Sequence, residues 1–250
     1  MRPGLQHTLT DSAKRINCIP DLVIKCFMSH SEWMTRILRN AILLTFGVEL
    51  VIYAIVSSMS FNNPALLDSF RSQQTSIISQ SPLLIFFAIF THNLLVATLD
   101  FIPAFGTFLF VQSAISTAMI ISLQGTAAGV PGLALFLTLL LLPHSWLELP
   151  VYAISMIGGI YLIYSLLKGK AFLRENLTRT VYIYFFAVVQ LAIAGAFEAA
   201  EIYFETSYSS PDNAIYPLMM WIPAVPVFYV LHRLFKQLMA MPSRLNDVPP

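Results

Sequence analysis

Charge is what this sequence has least of. Only 11% of its 250 residues are charged, where soluble globular proteins carry about 25%. A chain this poor in charge cannot cover itself with a solvated surface. With 57% hydrophobic residues and a mean hydropathy of +0.71, it reads as an integral membrane protein. The net charge of +1 lacks the basic face that nucleic acid requires, which excludes that partner class. Cysteine is nearly absent as well. Cys18 and Cys26 lie eight apart on a segment expected to be cytoplasmic, where thiols stay reduced, so neither a disulfide nor a cysteine metal site is expected.

Other absences narrow the function. Residues 1–39 lack an apolar core ahead of a small-residue cleavage site, so they do not read as a signal peptide. No phosphate-binding glycine loop is present, which excludes a P-loop ATPase. His144 has no second histidine at the H-E-x-x-H spacing of a zinc protease. Ser113, Ser116 and Ser145 lack a glycine-rich nucleophile turn and read as helix-packing residues. There is no repeat of 20–50 residues, no soluble domain of useful size, and no cofactor motif.

What is present is a series of apolar runs, at roughly 40–60, 83–99, 101–124, 131–167, 180–204 and 215–232. A span needs about 20 helical residues. Five runs fit one crossing each. The run 131–167 is too long, and Pro143 and Pro150 interrupt it. It predicts a short re-entrant segment near 131–143, then a full crossing, buried against protein or a water-filled cavity. The expected fold is therefore an all-α polytopic bundle of about six spans, with broken or re-entrant helices around 100–106 and 131–150. Residues 1–39 form a cytoplasmic amphipathic segment, 40–240 the transmembrane domain and 241–250 a cytoplasmic tail. The polar stretches "FNNPALLDSFRSQQTSIISQSP" and "ETSYSSPDN" read as outer loops. With both termini cytoplasmic, thirteen of the 14 Lys and Arg fall inside and only Arg71 outside, as the positive-inside rule asks. The expected location is the cell membrane, multi-pass.

Five acids fall within or at the edges of the runs: Glu49, Asp100, Glu148, Glu198 and Glu201. No Lys or Arg lies inside any run to pair with them. Each costs roughly 2.5–3.5 kcal/mol at a helix centre on insertion scales. Protonation, a bound cation, or hydrogen bonds from His, Tyr and freed backbone N–H groups are the available remedies. His144 and Glu148 share a helix face four residues apart, with Pro143 at the first helical position. Glu198 and Glu201 share another face, and the two pairs fall in the same half of the membrane. Asn93 and Asp100 share a face of the second span, just before the break "DFIPAFG". These six residues (Asn93, Asp100, His144, Glu148, Glu198 and Glu201) are the candidate polar cluster. Gly158 and Gly159 read as a site of close helix approach, and Tyr203, Tyr208, Tyr216 and Trp221 as interfacial anchors.

The motif "PHSWLELP" (Pro143 to Pro150), preceded by "HNLLVATLDFIPAFGTFLF" and followed by "FEAAE", resembles the stage II sporulation protein M family over about residues 85–235. The family pattern maps onto Asn93, onto Pro103 and Gly106, onto His144 with Glu148-Leu149-Pro150, and onto Glu198. Ser145 departs from it, since many members carry glycine there, and "HSWLE" looks more like the archaeal branch. The resemblance implies a polytopic membrane protein that recruits partners. Its namesake is the membrane-embedded member of a complex with two cell-wall-degrading enzymes. The expected role is thus a non-enzymatic membrane scaffold or assembly component. Its partners would be the lipid bilayer, other membrane or envelope proteins, and a second copy of itself. The alternative is an ion- or proton-coupled transporter using the buried carboxylates, because broken helices beside acids are how many transporters build their sites.

Overall fold

The computed structural model describes residues 35–239. The amphipathic segment expected over most of 1–39, both cysteines and the tail 241–250 lie outside the described residues. All described regular structure is helical: α1 (Thr35–Ser58), α2 (Pro64–Ile78), α3 (Pro82–Asp100), α4 (Gly106–Ala128), α5 (Gly132–Leu139), α6 (Pro143–Leu167), α7 (Lys170–Ser207), α8 (Asp212–Met219) and α9 (Trp221–Met239). Six stretches are long and apolar enough to cross a membrane: α1, α3, α4, α6, Asn176–Ser207 of α7, and α8 with α9. Six crossings put the start of α1 and the end of α9 on one face, called here the terminal side. The half-buried guanidinium of Arg179 bridges these ends. It donates to the Thr35 hydroxyl at 3.0 Å and to the Met239 carbonyl, tying α7 to both ends of the described chain.

Every Lys and Arg in the membrane stretches sits within about two turns of the terminal side: Arg36, Arg39, Arg179, Arg233 and Lys236. The centre of the bundle is the α6–α7 pair. Ala153, Ala187 and Ala194 are fully or almost fully buried there beside Val151, Ile183 and Leu191. Small side chains let the backbones close up where dispersion, rather than water exclusion, holds helices together. Some 67% of the apolar stretch of α6 is buried, against 11% for α3 and 17% for α8–α9. The interior is therefore set by α6 and α7, and the other helices surround them.

The stretch expected to be one polar outer loop, 61–82, instead carries α2. Asn63 caps it, its side chain accepting from the Leu66 N–H at 3.1 Å, and Pro64 occupies the first turn. Asn followed by Pro is a helix start signal that polarity alone obscures. Leu67 is the residue α2 buries. The last apolar run, expected as one crossing, breaks at Met220 between α8 and α9. Pro223 has no N–H to offer the Met219 carbonyl, so the helical ladder stops there.

The predicted break "DFIPAFG" is the tight turn 101–105 between α3 and α4. A side chain at Gly106 would put a Cβ 1.8 Å from the Asp100 carbonyl oxygen, so the turn demands glycine. The turn then packs on α6. A Cβ at Gly159 would lie 2.7 Å from the Phe101 carbonyl oxygen, and one at Gly158 2.5 Å from the Phe101 ring. The glycine pair admits a turn's backbone and an aromatic ring, with Ile183 of α7 also 3.4 Å from a Cβ at Gly158.

Candidate functional site

The re-entrant break is built first, because it carries the site. α5 runs from Gly132 to Leu139, three residues follow, and α6 begins at Pro143. Pro143 lacks the N–H that a first helical residue would leave unused. The carbonyls of the connecting residues need donors, since lipid offers none. Three consecutive carbonyls receive them from side chains. The Ser145 hydroxyl donates to Leu139 at 2.8 Å, the Trp146 indole N–H to Leu140 at 2.8 Å, and the Trp221 indole N–H to Leu141 at 2.7 Å. Ser145 and Trp221 thus have specific duties at the break, beyond the packing and interfacial roles expected of them. Further along, Pro150 interrupts the ladder of α6, and the buried Gln190 amide donates to the Leu147 carbonyl at 2.7 Å.

His144, on the first turn of α6, is buried against α7. Its Nδ1 is hydrogen-bonded to Oε2 of Glu201, which is 2% exposed. Its Nε2 lies 3.3 Å from the Ser145 hydroxyl oxygen. The Ser145 proton is already given to Leu139, so that oxygen accepts from Nε2–H. One further proton must then sit between Nδ1 and Oε2. Whether it rides on the ring or on the carboxyl, the pair as a whole is neutral, and this makes its burial tolerable without any lysine or arginine.

Glu148, one turn further along α6, is half-buried and does not bond Glu201. It accepts from the Tyr152 hydroxyl at 2.7 Å, four residues on along the same helix. Glu198 interacts electrostatically with Glu148, His144 and Glu201, and its Oε2 is buried without a hydrogen-bond partner. These four residues thus come together at the α6–α7 contact. Asn93 and Asp100 do not join them. Asn93 is half-buried on α3 and takes no part in the His144 hydrogen bonds. Asp100, 1% exposed at the C-terminal end of α3, lies toward the terminal side, and both its carboxyl oxygens lack partners. The reason is depth. Phe101 packs at the level of Gly158, which is 14 residues, or about 21 Å, beyond His144 on α6.

Glu49 of α1 is also 1% exposed, and its Oε2 is buried without a hydrogen-bond partner. The hydrogen-bonding roles of Tyr152, Gln190 and Trp221 were missed in the sequence. Each is a donor within or beside an apolar run, which signals that a partner must exist without saying which one. Among the described residues, no group of three His, Cys, Asp or Glu could hold a metal ion.

The profile of the stage II sporulation protein M family matches residues 41–200, from the second turn of α1 to the residue before Glu201. The chain belongs to that family. The match takes in Glu49, Asn93, Asp100, His144, Glu148 and Glu198, and reaches further toward the N-terminus than the motif-based resemblance. No curated protein and no solved structure matches the chain. As a member of the stage II sporulation protein M family, it is a multi-pass membrane protein of a family not known for enzymes.

Proposed function

We propose that this member of the stage II sporulation protein M family is a non-enzymatic scaffold that holds other membrane or envelope proteins through its lipid-facing helices. One observation carries the proposal. His92 of α3 and Gln112 of α4 are exposed at membrane depth, and neither bonds another described residue. His92 lies eight residues above Asp100 and Gln112 six above Gly106, about 12 and 9 Å along antiparallel neighbours, so the two share a depth. Ser116 is exposed one turn beyond Gln112. Ionisable and amide side chains in spans almost always face protein or a water-filled cavity, because lipid cannot hydrogen-bond them. Their natural partner is a transmembrane helix that carries its own donor or acceptor.

The orientation that fits has the terminal side cytoplasmic. Arg36, Arg39, Lys168, Lys170, Arg174, Arg179, Arg233 and Lys236 lie there, against Arg71 on α2. The test is gentle detergent extraction from native membranes with affinity capture. The expected result is co-purification of at least one membrane or envelope protein. The double variant His92→Leu, Gln112→Leu should keep its elution volume and helicity but lose the partner. Recovery of the wild type alone, or a partner retained by the double variant, would overturn the docking role.

A further inference from the structure

The basic side chains of the terminal side include two sets at different depths. Lys168 and Lys170 flank Gly169 in the turn between α6 and α7. Lys170 lies nine residues, about 13 Å, beyond Arg179, so this pair projects past the bundle end. Arg36, Arg39, Arg233 and Lys236 lie instead on the apolar spans themselves, all four exposed. They occupy the first turns of α1 and the last turns of α9, where the bundle meets lipid.

Hydrogen bonds fix those two helix ends against each other. The Thr35 hydroxyl donates to the Met239 carbonyl at 2.9 Å, and Arg179 donates to both residues. From this junction Arg36 and Arg39 stand one and four residues along α1, about 1.5 and 6 Å. Lys236 and Arg233 stand three and six residues back along α9, about 4.5 and 9 Å. Leu38 and Ile42 of α1 share the core with Leu231, Leu238 and Met239 of α9, which leaves the four cations on the outer surface. Arginine and lysine side chains are long enough to return such distances toward the membrane surface.

Apolar side chains continue this surface toward the membrane centre. Leu43 and Leu44 of α1 are 61% and 71% exposed, and Val230 of α9 is 54% exposed. The surface thus offers charge at one end and hydrocarbon contact at the other, which is the layout of a phospholipid. Snorkelling alone accounts for a single cation near a helix end. It does not account for four of them without an anion. Among the described residues, none of the four forms an ion pair with a carboxylate. Arg233 sits over the Tyr229 ring at 5.7 Å, a contact that places the guanidinium without consuming an N–H. Exposed Asn40 and Gln237, next in sequence to Arg39 and Lys236, add neutral donors. Phosphate accepts from such groups, bidentately from arginine.

We propose that this α1–α9 surface binds an anionic phospholipid. Its phosphate is held by Arg39 and Arg233 with Arg36 and Lys236 beside them, and its acyl chains lie along Leu43, Leu44 and Val230. Basic surfaces between transmembrane helices at the cytoplasmic leaflet are suited to such headgroups. A lipid is the source of phosphate that fits, because a free phosphate would leave the apolar part of the surface unmatched. The bound lipid spans the first and last crossings, clasping from outside the same two ends that Arg179 joins from within.

The test uses the full chain purified in a neutral detergent and titrated with phosphatidylglycerol or phosphatidylcholine, with bound lipid counted by native mass spectrometry. The wild type is expected to bind phosphatidylglycerol far more tightly than phosphatidylcholine. Arg39→Gln, Arg233→Gln should bind phosphatidylglycerol about thirtyfold more weakly, the effect of two interfacial cations. Lys168→Gln, Lys170→Gln removes the same charge at the projecting turn and should bind like the wild type. Melting temperature gives a second readout. Phosphatidylglycerol should raise it for the wild type and the turn variant but not for Arg39→Gln, Arg233→Gln. If that pair does not fold, Arg36→Gln, Lys236→Gln should show the same selective loss. Equal binding of the two lipids by the wild type would overturn the site, and so would equal losses in the α1–α9 and turn variants. Displacement of phosphatidylglycerol by millimolar inorganic phosphate would overturn the lipid as the source.

Discussion

His144 has two ring nitrogens and two different obligations. Ser145 takes one through a hydroxyl whose proton is already committed to Leu139, and Glu201 takes the other. This arrangement gives a sharp expectation. Removing the carboxylate in Glu201→Ala leaves Nδ1 buried and unpaired, a loss of about 1–3 kcal/mol for an unmet buried group. The larger 3–5 kcal/mol of a stranded buried charge does not apply, because the ring can shed its second proton. Glu201→Gln sets an amide N–H donor against the unprotonated Nδ1 of the neutral ring and should cost less than about 1 kcal/mol. Unfolding in mixed micelles by SDS titration measures both. Equal losses for the two variants would show that the hydrogen bond contributes nothing.

At the scale of elements, the break between α5 and α6 is held by donors from two places. Ser145 and Trp146 are local to α6, whereas Trp221 reaches in from the start of α9. Trp221 therefore couples the last crossing to the re-entrant segment. Trp221→Phe retains the stacking surface against Phe228 and removes only the donor to Leu141. Interhelical hydrogen bonds in membranes are worth about 0.6 kcal/mol on average and at most about 1.7. The expected loss is near the upper figure, because the Leu141 carbonyl has no helical partner to fall back on. The same micelle titration checks it, against Phe228→Leu, which removes the stacking partner and keeps the indole donor. No loss in Trp221→Phe would mean that the indole stabilises by packing alone.

The whole molecule is asymmetric in charge along the membrane normal. The Lys and Arg residues gather where Arg179 ties Thr35 to Met239. Cytoplasmic orientation of that side predicts that, in a Cys18→Ser, Cys26→Ser background, a cysteine at Arg71 on α2 reacts with a membrane-impermeant maleimide in intact cells. A cysteine at Lys170 should react only after the membrane is permeabilised. The reverse pattern would invert the molecule.

The sequence by itself determined the class, the number of crossings and the re-entrant break, because each follows from local quantities. Low charge forbids a solvated surface, a run of about 20 apolar residues spans the core, and Pro143 cannot continue a helix that precedes it. It also put His144 and Glu201 in the same half of the membrane, since spacing along a helix converts directly into depth. Four things were not legible. Asn63 and Pro64 start a helix inside what polarity marked as loop, and Pro223 divides the last crossing. Asp100 stands about 21 Å from the level of His144, because α3 turns where Phe101 meets the glycine pair of α6. Glu148 binds Tyr152 of its own helix rather than an acid across the bundle. These outcomes depend on which helix faces meet and at what tilt, and packing among distant segments sets both. Sequence spacing fixes the depth of a residue within its own helix; only the tertiary structure decides its neighbour at that depth.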